Sequence, residues 1–192
     1  MNNSLKILAF FMEHRGEFFS IYAAAKRLNI NYRIAFEEIK KLAEERILAL
    51  EKLGNSNQCT FNYIFTEKVL AVEQQRKENL LKQKHLKILD IRLQEIQNPF
   101  YIALVFGSYA TGKQTKQSDI DICIITDHED IRKKAGQIIR TLALPIHYLD
   151  FSAQEFISML KTTEENVGKE IMKHNILLQG VEDFYRMTNY AQ

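Results

Sequence analysis

Two carboxylates stand one residue apart in the run DIDICIIT, at Asp119 and Asp121. If this run is a strand, side chains alternate, so Asp119, Asp121 and Cys123 share one face and Ile120, Ile122 and Ile124 the other. Two such carboxylates repel and resist burial. A divalent cation between them relieves the repulsion, and oxygen-only donors favour magnesium or manganese over zinc. A strand end with both groups in water is the plainer alternative. Eleven residues before Asp119, the apolar run YIALVFGS ends in Gly107 and Ser108. Glycine lets the backbone come close to a ligand, serine offers a hydroxyl and a helix cap, and a turn there can cradle phosphate oxygens with backbone N–H groups. We expect a short helix to begin at Ser108 or Tyr109. A phosphate cradle facing a metal-holding carboxylate pair would be a nucleoside triphosphate site; an ordinary strand-turn-helix connection is the alternative.

Taken together, Gly107-Ser108, ten intervening residues and Asp119-Ile120-Asp121 in strand surroundings resemble the signature of the DNA polymerase beta type nucleotidyltransferase superfamily. FGSYATGKQTKQSDIDICI is most similar to its small members, the minimal nucleotidyltransferases related to MNT antitoxins and aminoglycoside nucleotidyltransferases. The resemblance covers roughly residues 85 to 160. It implies that Asp119 and Asp121 hold Mg2+ (or Mn2+) and that Gly107 and Ser108 hold the β- and γ-phosphates of an NTP, with ATP expected. An NMP group, AMP above all, would then pass to a protein or RNA hydroxyl. Lys113 and Lys116 are secondary nucleotide-binding candidates, since loop lysines are commonly just solvated.

Active members of that superfamily carry a third carboxylate on the neighbouring strand, here LPIHYLDFS. If Ser152 caps the following helix, the slot falls on His147; if the strand is shifted or bulged, it falls on Asp150. The two would face opposite sides of a regular strand. Neutral imidazole is a poor magnesium ligand yet serves as a general base near neutral pH, so the slot separates an enzyme from a nucleotide-binding regulator. Asp127 reads as a cap for the helix HEDIRKKAGQIIRTL.

The elements that must position these groups form an α/β domain over 99–192, with a mixed sheet and flanking helices. Helix starts are expected at Ser152 and Thr162, each with Glu three residues later in the capping-box pattern. Residues 66–98 read as a connecting segment of one or two long helices. In it Leu86, Leu89, Leu93 and Ile96 form a short apolar seam, either packed on the domain that follows or serving a homodimer coil. Residues 1–65 read as helix, helix, helix, hairpin, with Ser20 and Asn31 as caps, which is the plan of an α+β winged helix-turn-helix domain. This pattern resembles MarR-like or ArsR-like regulators. That resemblance implies DNA binding by Tyr32, Arg33, Lys40 and Lys41 on the third helix and by Lys52 and Asn55 in the wing. Glu37, Glu38, Glu44 and Glu45 weigh against it.

Composition narrows the classes. The chain has 192 residues, 46% apolar and 26% charged, an ordinary globular balance. Residues 1–100 carry 16 Lys/Arg against 12 Asp/Glu, and 101–192 carry 10 against 12, a mild asymmetry far short of a dedicated basic stripe. No apolar span approaches the roughly 20 residues of a membrane helix, and MNNSLKILAFFMEHRG lacks a signal-peptide pattern, so a cytoplasmic protein is expected. Cys59 and Cys123, far apart, read as core thiols. The family resemblance implies a HEPN-type toxin as a partner.

Overall fold

The computed structural model describes residues 2–53 and 56–191. The chain divides into two compact units, Met1–Val72 and Glu73–Gln192. The segment 66–98 is therefore shared between them, with the division inside one helix.

In the first unit, α1 (Asn3–Glu13), β1 (Phe19–Ser20), α2 (Ile21–Leu28) and α3 (Tyr32–Glu44) precede β2 (Leu48–Leu53) and β3 (Ser56–Phe61). The Asn2, Ser20 and Asn31 side chains accept from Leu5, Ala23 and Arg33 N–H, so each helix begins where a short polar residue satisfies an orphan donor. On α3, Ala35, Ile39 and Leu42 are fully buried, one face of a 3.6-residue repeat. They meet Ile7, Leu8, Phe11 and Met12 of α1 in an apolar core. The sheet order is β1-β3-β2, all antiparallel. Strand β1 is too short to leave a pattern in sequence, and Ser20 serves both as its last residue and as the α2 cap.

In the second unit, α4 (Glu67–Leu80) ends and α5 (Lys84–Leu93) begins within the stretch read as one or two long helices, so two helices are present. The seam residues Leu86, Leu89, Leu93 and Ile96 are buried in the same core as Ala103, Val105, Ile120, Ile122 and Ile124. The packing alternative for that seam is the one realised. There follow β4 (Ile102–Phe106), α6 (Gly107–Ala110), β5 (Ile120–Ile125), α7 (Glu129–Thr141), β6 (Ile146–Phe151), α8 (Ala153–Lys161), α9 (Val167–Lys173), β7 (Asn175–Gln179) and α10 (Val181–Ala191).

The second sheet has the order β6-β5-β4-β7, with β5 and β6 parallel and the other pairs antiparallel. This is a mixed α/β fold with flanking helices. One face, carrying Ile120, Ile122 and Ile124, packs on α5 and on Ile131, Ala135, Ile138 and Ile139 of α7. Against the other lie α8, α9 and α10, whose Phe156, Ile171, Phe184 and Tyr185 are fully buried. Strand β7 was not expected from sequence. Its residues NILLQ are almost wholly buried, an apolar run without the alternation that marks a half-exposed strand.

Three local expectations change. Thr162 ends α8 instead of opening a helix, and α9 starts later, where Asn166 accepts from Lys169 N–H. Asp127 does not cap α7; its Oδ1 accepts from Ala153 N–H at 3.0 Å and so caps α8 alongside Ser152. Ser108 is not a cap either, because α6 already begins at Gly107. Asp127 took an orphan N–H that is near in space and 26 residues away in sequence, whereas the Thr162 hydroxyl donates to Met159 O at 3.0 Å and so closes α8.

Candidate nucleotide site

Strand directions bring the chemistry to one end of the second sheet. Strand β4 ends there at Phe106, β5 starts there opposite Phe106 with Asp121, β6 starts there with His147 opposite Asp121, and β7 starts there with Asn175 opposite Phe106. Two antiparallel pairings and one parallel pairing suffice to gather segments 107, 121, 147 and 175.

Gly107 sits at φ +65°, in the left-handed region. A Cβ added there would lie 2.3 Å from Asp121 Oδ2. No residue with a side chain fits, so glycine is what allows the β4–α6 turn to lie against the Asp121 carboxylate. Beyond it the chain makes one helical turn, held by Thr111 N–H to Gly107 O and Lys113 N–H to Ser108 O. Ser108 lies within this turn, half-buried beside Gly107. Lys113 and Lys116 are exposed on the loop that follows, which is folded on itself by Thr115 N–H donating to Ser118 Oγ at 2.9 Å.

Asp121 is the centre of the arrangement. Its carboxylate keeps 25% side-chain exposure, with Oδ2 against Gly107 and Oδ1 3.0 Å from His147 Nδ1. Asp119, two residues earlier, is exposed at the mouth. His147 is exposed as well, at 56% of its side chain. It stands beside Asp121 because the two are partners in the parallel β5–β6 register.

Asp150 is brought elsewhere. Its register partner is Ile124, whose side chain faces α5 and α7, and its carboxylate lies 3.7 Å from Arg132 of α7. Burial, then the charge of Asp150, pushes the Tyr148 phenol well above its ordinary range. Tyr148 and Asp150 thus share the face turned away from Asp121, as alternation demands of residues 147, 148 and 150. Of the two registers left open by the sequence, β6 is regular and Ser152 caps α8 with both halves of a capping box.

As to metals, Asp119 and Asp121 are the carboxylates gathered here, and among the described residues no group of three or more His, Cys, Asp or Glu side chains is placed to hold an ion. Two carboxylates suit a magnesium ion that arrives with phosphate oxygens, since magnesium is commonly held by one or two carboxylates together with substrate phosphates. They do not make a closed all-protein cage. Cys123, on the Asp121 face, is fully buried and its thiol is pushed far up by that burial, so it stays protonated and takes no part.

On the first unit, Tyr32, Arg33, Lys40 and Lys41 are exposed on α3 and Lys52 on β2. Arg33 pairs with Glu37 at 3.2 Å and Lys41 with Glu38 at 3.0 Å, whereas no acidic partner faces Lys40 or Lys52 among the described residues. Asn55 lies outside the described residues. Sequence reasoning missed the neighbours Tyr22, Ile34 and Phe36, which expose 65%, 41% and 37% of their surface. Their signal was present, as apolar residues off the inward stripe of α2 and α3.

No helix of the described chain is long and apolar enough to cross a membrane. No curated protein matches the chain. Residues 87–174, from α5 to the residue before β7, match the family model described as the nucleotidyltransferase domain, and this supports the nucleotidyltransferase superfamily for that stretch of the chain.

Proposed function

We propose that this protein binds an NTP with magnesium at the Gly107–Asp121 cradle and works as a nucleotide-binding regulator of the antitoxin-like kind, its transferase centre lacking the third carboxylate. The observation that carries this reading is the 3.0 Å bond from His147 to Asp121, at the strand position where the family resemblance puts the third carboxylate of active members. Asp150 points to Arg132 on the opposite face. Asp119 and Asp121 would hold the metal, which would neutralise triphosphate charge and shape the phosphates. Gly107 and Ser108 offer backbone N–H groups to the phosphates, and Lys113 and Lys116 add charge from the loop.

A second reading rests on the domain match. Transfer of an NMP group from an NTP is the general chemistry of nucleotidyltransferase domains, and His147 is a base within reach of the same carboxylate. An acceptor hydroxyl of a protein or RNA would bond to the α-phosphorus, its proton passing to His147 Nε2, while the bond to the β-phosphate breaks and pyrophosphate leaves. The order of elements in the first unit, three helices with a terminal two-strand hairpin and a third short strand, supports a winged helix as the targeting module for either reading.

Labelled NTPs, magnesium and candidate acceptors, with Asp119→Asn as control, separate the readings. The regulator reading expects nucleotide binding that the control loses, without label on any acceptor; label transferred by the wild type and lost in the control overturns it in favour of turnover. Absence of NTP binding sinks both. His147→Asp is expected to tighten Mn2+ binding about tenfold or more in calorimetry, since it supplies an oxygen donor beside Asp121. For the first unit, a DNA mobility shift that weakens with salt and with Arg33→Ala is expected; indifference to both would exclude phosphate contacts.

A further inference from the structure

A second feature lies among the helices α8, α9 and α10 of the second unit and takes no part in the cradle. Helix α8 starts beyond the far end of β6, next to the Asp127 cap that follows β5, and α10 starts beyond the far end of β7. Both run back over the sheet toward the end that holds Gly107 and Asp121. Helix α9 ends two residues before Asn175, the register partner of Phe106. Between the three helix ends lies an open groove of about 670 Å3 lined by Leu160, Lys161, Lys169, Met172, Lys173 and Ala191.

The lysines differ in their partners. Lys173 is paired with Glu165 at 3.1 Å. Lys161 has no carboxylate partner among the described residues, and its Nζ lies 5.4 Å from the centre of the Tyr190 ring. Lys169, in the first turn of α9 where a cation opposes the helix dipole, likewise has no ion-pair partner among the described residues. Tyr190 exposes 77% of its surface, the most of any large apolar or aromatic side chain described. Unneutralised lysines beside an exposed ring and an apolar floor combine the two elements by which proteins hold single strands, phosphate attraction and base stacking.

We propose that this groove binds a single-stranded nucleic acid, with Lys161 and Lys169 on its phosphates and a base stacked on Tyr190. Binding stands on the groove alone; that the strand presents an end to the nucleotide cradle rests on the reading of that cradle given above. An acidic protein segment would use the lysines and leave the ring idle, which is why a strand is favoured.

The test is fluorescence anisotropy of the full chain with a labelled 12-nucleotide oligo-U and with oligo-dU, the pair distinguishing RNA from DNA as the source of the same phosphodiester chemistry. Lys161→Ala/Lys169→Ala should weaken binding at least tenfold and flatten the log K against log salt slope by about 1.4, at roughly 0.7 per lost phosphate contact. Tyr190→Ala should weaken it about fivefold or more without changing the salt slope. Lys133→Ala, an exposed lysine of α7 on the opposite face of the sheet, should leave it unchanged. All these side chains are at the surface, and circular dichroism checks that the variants fold. Equal affinity of wild type and groove variants overturns the proposal, as does a poly-glutamate peptide binding this groove where the oligonucleotides do not. NTP binding measured on the same samples keeps the two ideas apart: oligonucleotide binding without NTP binding refutes the cradle reading alone, and NTP binding without oligonucleotide binding refutes the groove alone.

Discussion

Gly107 carries two constraints at once, a left-handed φ of +65° and a Cβ direction occupied by Asp121 Oδ2 at 2.3 Å. Gly107→Ala must therefore strain the backbone and displace the carboxylate, two effects with one cause. We expect this variant to fold with a lower Tm, by about 1–3 kcal/mol of lost stability, and to bind NTP at least tenfold more weakly in a titration. NTP affinity unchanged from wild type would remove Gly107 from the site. At this scale the close backbone approach at Gly107 was legible from residue type and spacing alone. The partner of Asp121 was not, because the bond to His147 spans 26 residues and depends on strand register.

Helix α8 shows how an element is started by groups from two places. Ser152 Oγ accepts from Glu155 N–H at 3.1 Å, Glu155 Oε2 accepts from Ser152 N–H at 2.7 Å, and Asp127 adds a cap on Ala153 N–H. Ser152→Ala should cost about 1 kcal/mol in urea unfolding. The Ser152 backbone N–H, and after it the Ser152 hydroxyl, hold the Glu155 carboxyl below its ordinary value. A folded value below the unfolded one means that the contribution is present above about pH 4.3 and fades as pH falls through the lowered folded value. The stability gap between wild type and Glu155→Gln should accordingly close at acid pH; a gap that widens there would contradict the capping role. Helix α5 makes a different point. Its seam is internal, Leu89 being fully buried, so Leu89→Ala should cost about 2–5 kcal/mol without changing the oligomeric state seen by light scattering. A loss of dimer on that substitution would restore the coil alternative.

Across the second unit, distant segments are joined by charged groups that look like a solvated helix face in the sequence. Glu73, wholly buried, accepts from the Tyr185 hydroxyl at 2.6 Å and from Arg76 at 2.8 Å. Arg76 also donates to Asn175 O, and Lys77 donates to Leu178 O while pairing with Asp90 at 2.9 Å. Helix α4 is thus tied to β7 and α10, about a hundred residues away. A buried carboxylate that loses a donor retains its desolvation cost, so Tyr185→Phe should destabilise by about 1–3 kcal/mol in thermal unfolding while leaving NTP affinity unaltered. A neutral result would mean that the Glu73 network is indifferent to that bond.

Local physics was readable along the chain: caps at Ser20, Asn31 and Ser152, the inward stripe of α3, and the strand-turn and D-x-D pair, since each depends on residues within a few positions of one another. Where a capping choice crossed between segments, as at Asp127, the sequence could not rank the available N–H groups. It also could not show β7, a uniformly buried strand without alternation, or whether His147 or Asp150 stands beside Asp121. The tertiary structure decides that last point through the parallel register of β5 and β6, because one residue of slip turns every side chain of a strand to the other face.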